Sequence, residues 1–348
     1  MDLYITDTSF NTVAVIDATS STIWSEKYAG SGDFEIYVPA SDKYIDVLRE
    51  DYYIFRPETD KGMIIRHTNI TTDVENGNYL TVTGKSLESI LARRIVWMQT
   101  SLSGKVEVCI RRLIHENIIN PTITARKIDK FRLGPLKGFT ETMKMQVTGK
   151  NLQEVIDEIC KKYGFGYKIT VQDGYFVFDL YKGVDRSYNQ TENPYVVFSP
   201  EFENLLNSDY DYNAEGYKNV VLVAGEGEGL ARKVKAVGSA SGLNRYEMYS
   251  DARDASTNNG EISDDEYYEQ LAEDGAKTLA ENNVVETFTG TVDYLTTFKY
   301  GEDYYMGDIV QVVNEYGISS TPRIIETIEY EDENGYSLIP TFEYLGGA

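Results

Sequence analysis

Residues 292–345 constrain this chain most, because they string together four runs of strand-type period and almost nothing else. The runs are 292–298, 308–316, 323–330 and 337–345, with turn chemistry between them at Gly301, Gly307 and Asp308, Gly317, and Asn334 and Gly335. Apolar residues alternate with polar ones, so each strand offers one apolar face that must be buried. Closing such a sheet on itself buries that face and removes the exposed edges. The pattern predicts a small closed barrel.

A second strand-rich region opens the chain. Residues 3–84 give seven runs, at 3–6, 12–17, 22–28, 33–39, 52–56, 62–74 and 79–84. Pro39 and Pro57 sit at strand ends, where a missing donor does little harm, and Asn76 and Gly77 mark a hairpin. From Lys85 the period becomes helical. Leu87, Ile90, Leu91 and Ile95 share one face, and Val106, Cys109, Ile110, Leu113 and Ile114 repeat that spacing. Residues 151–163 predict a helix capped by Asn151, with Glu154 three residues on and Gly164 as its stop. A hairpin around Asp173 and Gly174 follows. Residues 218–224 return to strand, Gly225 to Gly229 open a turn, and Ser263 with Glu266 makes a capping box for a helix carrying Leu271, Ala272, Gly275 and Leu279. The fold class is α+β, mainly β: two small β-barrel domains with an α+β insert between them. The divisions expected are 1–97, 98–205, 206–284 (connecting strands, loop and helix) and 285–348.

The net charge of −23 is unevenly placed. Residues 1–84 balance at −8, residues 85–168 at +8 and residues 201–348 at −21, so the acid lies in the two barrel regions. Acidic domains do not wrap nucleic acid as binders, since phosphate affinity needs clustered Lys and Arg. An acidic wall still suits a conduit that DNA passes without sticking, over about one Debye length of roughly 8 Å; an acidic surface that keeps an assembly soluble explains the same charge. Twenty-eight tyrosines favour polar-aromatic contact surface or, equally, an ordinary Tyr-rich β protein. Cys109 and Cys160 fall in helical patterns and read as reduced, packed thiols. The first residues lack a signal-peptide pattern and no run approaches a membrane span, which predicts folding in a cytoplasm without membrane insertion.

Several chemistries almost appear. Gly84, Lys85 and Ser86 end like a phosphate loop, but the required first glycine is Tyr79. His115 and Glu116 begin a zinc-peptidase helix whose second histidine is Ile119. His67 is the other imidazole and reads as a barrel-surface residue. Asp209, Asp211 and Asn213 copy the opening of a calcium loop, but Ala214 replaces the turn glycine and Val220 the bidentate ligand, which leaves a solvated acidic loop. Glu247, Asp251 and Asp254 with Arg245 and Arg253 suit either a carboxylate site for glycoside chemistry or a salt-bridged junction. Residues 82–87 recur at 147–152, both where a strand hands over to a helix; local convergence on one turn explains this better than duplication. No catalytic residue, metal site or cofactor is predicted.

Six stretches carry a resemblance. Met306 to Val312, Arg323 to Ile328 and Pro340 to Glu343 resemble the last domain of bacteriophage tail hub proteins. Arg245, Glu247, Asp251, Arg253 and Asp254 look like that family's stretch between barrels, and Trp24 to Pro39 with Leu80 to Ile95 look like its first barrel and exit. The chain thus resembles the phage tail hub or baseplate hub family, which has two tube-type β-barrel domains. The resemblance implies a non-enzymatic virion tail component that forms a homotrimer. Two barrels per chain would present six modules to a six-fold tube. Its partners would be a distal tail or tube protein, a tape-measure protein and a spike or receptor-binding fibre, in a phage or related contractile injection particle. A tail-associated peptidoglycan hydrolase and a carbohydrate-binding surface protein are the alternatives.

Overall fold

A computed structural model describes residues 2–343 except 18, 58, 76, 254, 256, 258–261, 290–291 and 293–296. All seven expected N-terminal strands form: Leu3–Thr6, Thr12–Ile16, Ser21–Lys27, Asp33–Pro39, Tyr53–Phe55, Gly62–Asp73 and Gly77–Ser86. Their alternation works as the period-2 rule requires. Phe34, Ile36 and Val38 point in from one strand and meet Leu3, Ile5, Trp24, Ile54, Ile65 and Val82 from the others in one core. A short helix α1 (Asp42–Val47) was not anticipated; Ser41 caps it by accepting the Tyr44 N–H at 3.3 Å. Asn76, the expected hairpin residue, lies outside the described residues, though the two strands that flank it pair as far as Asp73 and Gly77.

The C-terminal half builds a second curved layer from Asp209–Asn213, Val285–Thr289, Arg323–Asp332 and Gly335–Glu343 over a core of Phe198, Tyr304, Met306, Val310, Ile324 and Phe342. Most of the expected 292–298 run lies outside the described residues. Only Gln311–Val313 of the 308–316 run is strand, in a small sheet with Val197–Phe198 and Ser319–Ser320.

The mainly β, α+β class is as expected, with one correction: the two β modules are not separate. Ser21–Lys27 pairs antiparallel with Arg323–Asp332, from Ser21 opposite Asp332 to Lys27 opposite Glu326. Eleven strands therefore run edge to edge, from Asp209–Asn213 at one end to Thr12–Ile16 at the other, and the ladders among the described residues do not close either half. An inner edge of each module is satisfied by its neighbour instead of by closure.

The insert packs helices α2 (Val106–Ile114) and α3 (Leu152–Tyr163) against the Gly166–Gln172 and Tyr175–Tyr181 hairpin. Asn151 caps α3, accepting the Gln153 N–H at 2.9 Å, and Gly164 ends it in the left-handed region at φ 70°. The expected helix at 87–95 is a tighter 3-10 turn, Leu87–Arg93, and an antiparallel pair of Thr100–Lys105 with Thr142–Val147 was not foreseen. Between the halves, helix α4 (Asp264–Glu281) covers a sheet of Val220–Ala224, Val234–Val237 and Glu247–Asp251, giving the connecting region its own core of Val221, Val223, Tyr267 and Leu271. The Ser263 and Glu266 capping box is present. Ser263→Ala is expected to cost about 1 kcal/mol of stability, read as a lowered urea midpoint at unchanged slope. No helix among the described residues is long and apolar enough to cross a membrane.

Candidate functional site

Several residues of the near-miss motifs are engaged in holding the fold. Gly84 is a strand residue whose Cβ would lie 1.9 Å from the Ile64 carbonyl oxygen, so glycine is there for close strand approach. Lys85 pairs with Asp33 at 3.5 Å, and the Ser86 hydroxyl accepts the Gly32 N–H at 3.0 Å. The second copy of this hexapeptide differs in backbone: Gly84 lies within a strand whereas Gly149 sits at φ 70°, so the two copies do not share the one turn expected of them. His67 is exposed on the Gly62–Asp73 strand and His115 is exposed at the start of the π-turn after α2. No hydrogen bond among the described residues joins either imidazole to a nucleophile. Cys109 and Cys160 are free and buried, and burial raises both thiols.

The segment read as a solvated acidic loop is instead a strand, Asp209–Asn213, paired with Val285–Thr289. Asp and Asn are depleted in strands, but this one ends the sheet and leaves Asp209 and Asp211 in solvent. Glu247 and Asp251 lie on one strand, where Arg245 pairs with Glu247, and Arg232 and Arg253 both pair with Asp251 at 2.6 Å. The hydrogen bond from Arg253 is the main cause holding the Asp251 carboxyl below its ordinary range, the opposite of what a general acid needs. Asp254 lies outside the described residues. Among the described residues no group of three or more His, Cys, Asp or Glu side chains is placed to hold a metal ion.

What sequence reasoning missed is a buried polar seam where the modules meet. Lys61 and Glu26 form an ion pair on the N-terminal side, and Tyr300 donates to Glu26 from the C-terminal side at 3.3 Å. Burial alone would lower the Lys61 ammonium, but Glu26 beside it gives a net rise. Arg56 pairs with Glu329 at 2.8 Å, both nearly buried, and Tyr336 donates to the same carboxylate at 2.7 Å. Tyr28 ties three modules: its N–H donates to Ile325, its carbonyl accepts from Tyr167, and its hydroxyl donates to the Gly164 carbonyl at 2.9 Å. Glu88 joins the insert to the first module by accepting the Ile169 N–H at 2.8 Å.

Beside the seam opens a cleft of about 380 Å³ lined by Lys61, Tyr181, Lys182, Arg186, Tyr300 and Asp308. Its cations are already neutralised, Lys182 by Glu141 and Arg186 by Asp308 at 2.7 Å, so it offers no free charge to an anion. The seam fixes geometry between modules.

Burial raises the Glu88 carboxyl, so the folded state holds its proton more tightly than the unfolded chain. The associated stability is present in full below the unfolded value near ~4.3 and is lost as pH rises through the folded one. Glu88→Gln keeps an acceptor for Ile169 without the titration. Its stability should exceed that of the parent at neutral pH and converge with it below the unfolded value, in urea melts run across pH; a gap independent of pH would remove the carboxyl as the cause.

Comparisons with known proteins fit this architecture. The model of the family described as Siphovirus ReqiPepy6 Gp37-like protein matches residues 2–342. A tail protein from Neisseria meningitidis MC58 superposes with a TM-score of 0.60 at 12% identity, covering 99% of this chain and 96% of that one. A 43 kDa tail protein of prophage MuSo2 from Shewanella oneidensis gives 0.58 at 11% identity, covering 98% of each chain. A prophage tail protein from Listeria monocytogenes EGD-e gives 0.56 at 14% identity, covering 99% and 94%. At these identities the likeness is one of fold. No curated protein sequence matches the chain.

Proposed function

From the premise that this chain belongs to the Siphovirus ReqiPepy6 Gp37-like protein family, and so is a structural component of a phage tail, we propose that it is the hub of the tail tip or baseplate. Three copies would form a ring that joins the six-fold tube to the tip and lets DNA pass without specific binding. The four-part division at residues 97, 205 and 284 would serve that ring. The two β modules would face the tube and the α+β insert would lie outside them or toward the tip. A tube or distal tail protein, a tape-measure protein and a spike or fibre would be its neighbours.

The observation that carries this reading is the continuous eleven-stranded sheet. It couples two β modules of one chain at a fixed angle, as three chains must do to present six contact units to a six-fold partner. The modules differ in strand number, so the six units would be alike in wrapping a curved sheet over a core. In solution the chain should weigh three times its own mass across a dilution series, and electron-microscope class averages should show a ring with six peripheral lobes. A monomer at every concentration would end the proposal. The ring is proposed to act without hydrolysis: zymograms on bacterial cell walls should show no clearing, and clearing abolished in His67→Ala or His115→Ala would overturn that. In a ring the acidic side chains should concentrate toward the lumen; a neutral or basic lumen would leave the −21 balance of residues 201–348 as a solubility feature.

A further inference from the structure

Two exposed surfaces of this chain carry charges that form no ion pair among the described residues. The first is on the insert. Trp97 and Met98 are 50% and 61% exposed, and Arg126 stacks over the Trp97 ring with its guanidinium carbon 5.0 Å from the centroid. Arg94 lies against Arg126, donating to its carbonyl at 2.8 Å, and Arg126 in turn donates to the Ile95 carbonyl at 2.7 Å. Both guanidiniums therefore bond backbone oxygens, Arg126 also bonds the Asn117 side-chain oxygen, and neither forms an ion pair among the described residues. They line an open cleft of about 320 Å³ with Trp97. Exposed Trp and Arg on an apolar base are the composition of an interface centre.

The second surface is at the far end of the eleven-stranded sheet. The end strand Asp209–Asn213 and the segment leading into it expose Phe202, Leu206 and Tyr212 at 51–63%. Glu201, Glu203, Asp209 and Asp211 are exposed with them and form no ion pair among the described residues. One surface is thus cationic and aromatic, the other acidic and apolar, and they sit on different modules.

We propose that the Arg94, Trp97 and Arg126 cleft receives the acidic 201–213 segment of a second copy of this chain. A contact between unlike patches is heterologous: every copy offers both halves, and repetition about one axis closes a ring. Charge complementarity favours this occupant over nucleic acid, because the exposed Ile95, Met98 and Ile123 around the arginines ask for apolar groups that a sugar-phosphate backbone lacks. The inference rests on the ring proposed above and names its contact.

The test is a charge swap in the full chain, read by sedimentation. Arg94→Glu with Arg126→Glu should weaken assembly, raising the dissociation constant by roughly thirtyfold or more, and so should Asp209→Arg with Asp211→Arg. All four changes in one chain should restore assembly, because each reversed patch then meets its reversed partner. Circular dichroism melts of each variant separate misfolding from lost contact, and the second pair changes only exposed side chains. Failure of the fourfold variant to recover assembly while its melt stays parental would overturn the proposal. So would either double variant that assembles like the parent, leaving the cleft to an acidic segment of a different tail protein while the ring itself stands. If the parent is monomeric throughout, both the ring and this contact fall together.

Discussion

Glu329→Ala should lower the unfolding free energy by about 3–5 kcal/mol, the usual cost of removing one partner of a buried ion pair. The carboxylate is 6% exposed and its partner Arg56 14%, so water cannot replace what is lost. Burial alone would lower the Arg56 guanidinium, and it is chiefly the hydrogen bond and charge of Glu329 that give a net rise. Deleting that carboxylate strands Arg56 over Trp24, 5.5 Å from the ring, and takes the acceptor from Tyr336. Replacing the pair together, as Arg56→Met with Glu329→Leu, should cost far less, because no charge is then left dry. Urea unfolding of the three variants measures this. The surface pair Arg49 and Asp46, 58% and 73% exposed, is the control, and its loss should cost under about 1 kcal/mol. A Glu329→Ala loss as small as the control's would mean that the seam is solvated.

Gly166→Ala should cost about 3 kcal/mol, the upper end of the range for overpacking. A Cβ at Gly166 would stand 2.3 Å from Cε2 of Tyr28 and 2.8 Å from Cζ of Tyr181. Gly307 closes on the same Tyr28 ring from the C-terminal module, where its Cβ would come within 2.2 Å of Cε2. The ring is thus held between two bare backbones and has no direction in which to yield. Tyr28→Leu is costly alone, since it gives up the hydrogen bond to Gly164 and the Arg323 contact. Combined with Gly166→Ala it should cost less than the sum of the two. Strict additivity in thermal or urea melts would show that the ring is not what forbids the methyl group.

Local pattern reached far along this chain. Strand existence followed from alternation broken by Gly and Pro, so all seven N-terminal strands were legible, as were α3 from Asn151 and Gly164 and α4 from Ser263 and Glu266. The site was illegible for a particular reason. In Arg323–Asp332 the ladder slips between Ile324 and Glu326, and a one-residue slip turns the other face inward. Thr327 and Glu329 are buried as a result, while Ile325 and Ile328 are only half-buried. Period counting expects the isoleucines inside. Nor does any local signal pair Ser21–Lys27 with a strand some three hundred residues on; that partnership is decided by which edge remains open once each module has curled. A polar residue within a strand was the one available hint, and only Glu26 follows it, since Glu88 lies in the 3-10 turn and Lys61 just ahead of its strand.

The pairing of Ser21–Lys27 with Arg323–Asp332 also sets a clock. Chains emerge from the ribosome at about 5–20 residues per second, N-terminus first. The Ser21–Lys27 edge is therefore made within the first moments of synthesis and stays bare until nearly the whole chain has been translated. Contacts so distant in sequence are slow to form even in a complete chain. In the ring proposed above, a nascent copy would lack the geometry its neighbours recognise until that pair forms, and copies still on one messenger would be kept from docking half-made. Joining of the two modules would then set the competence to assemble, timed by one strand pair.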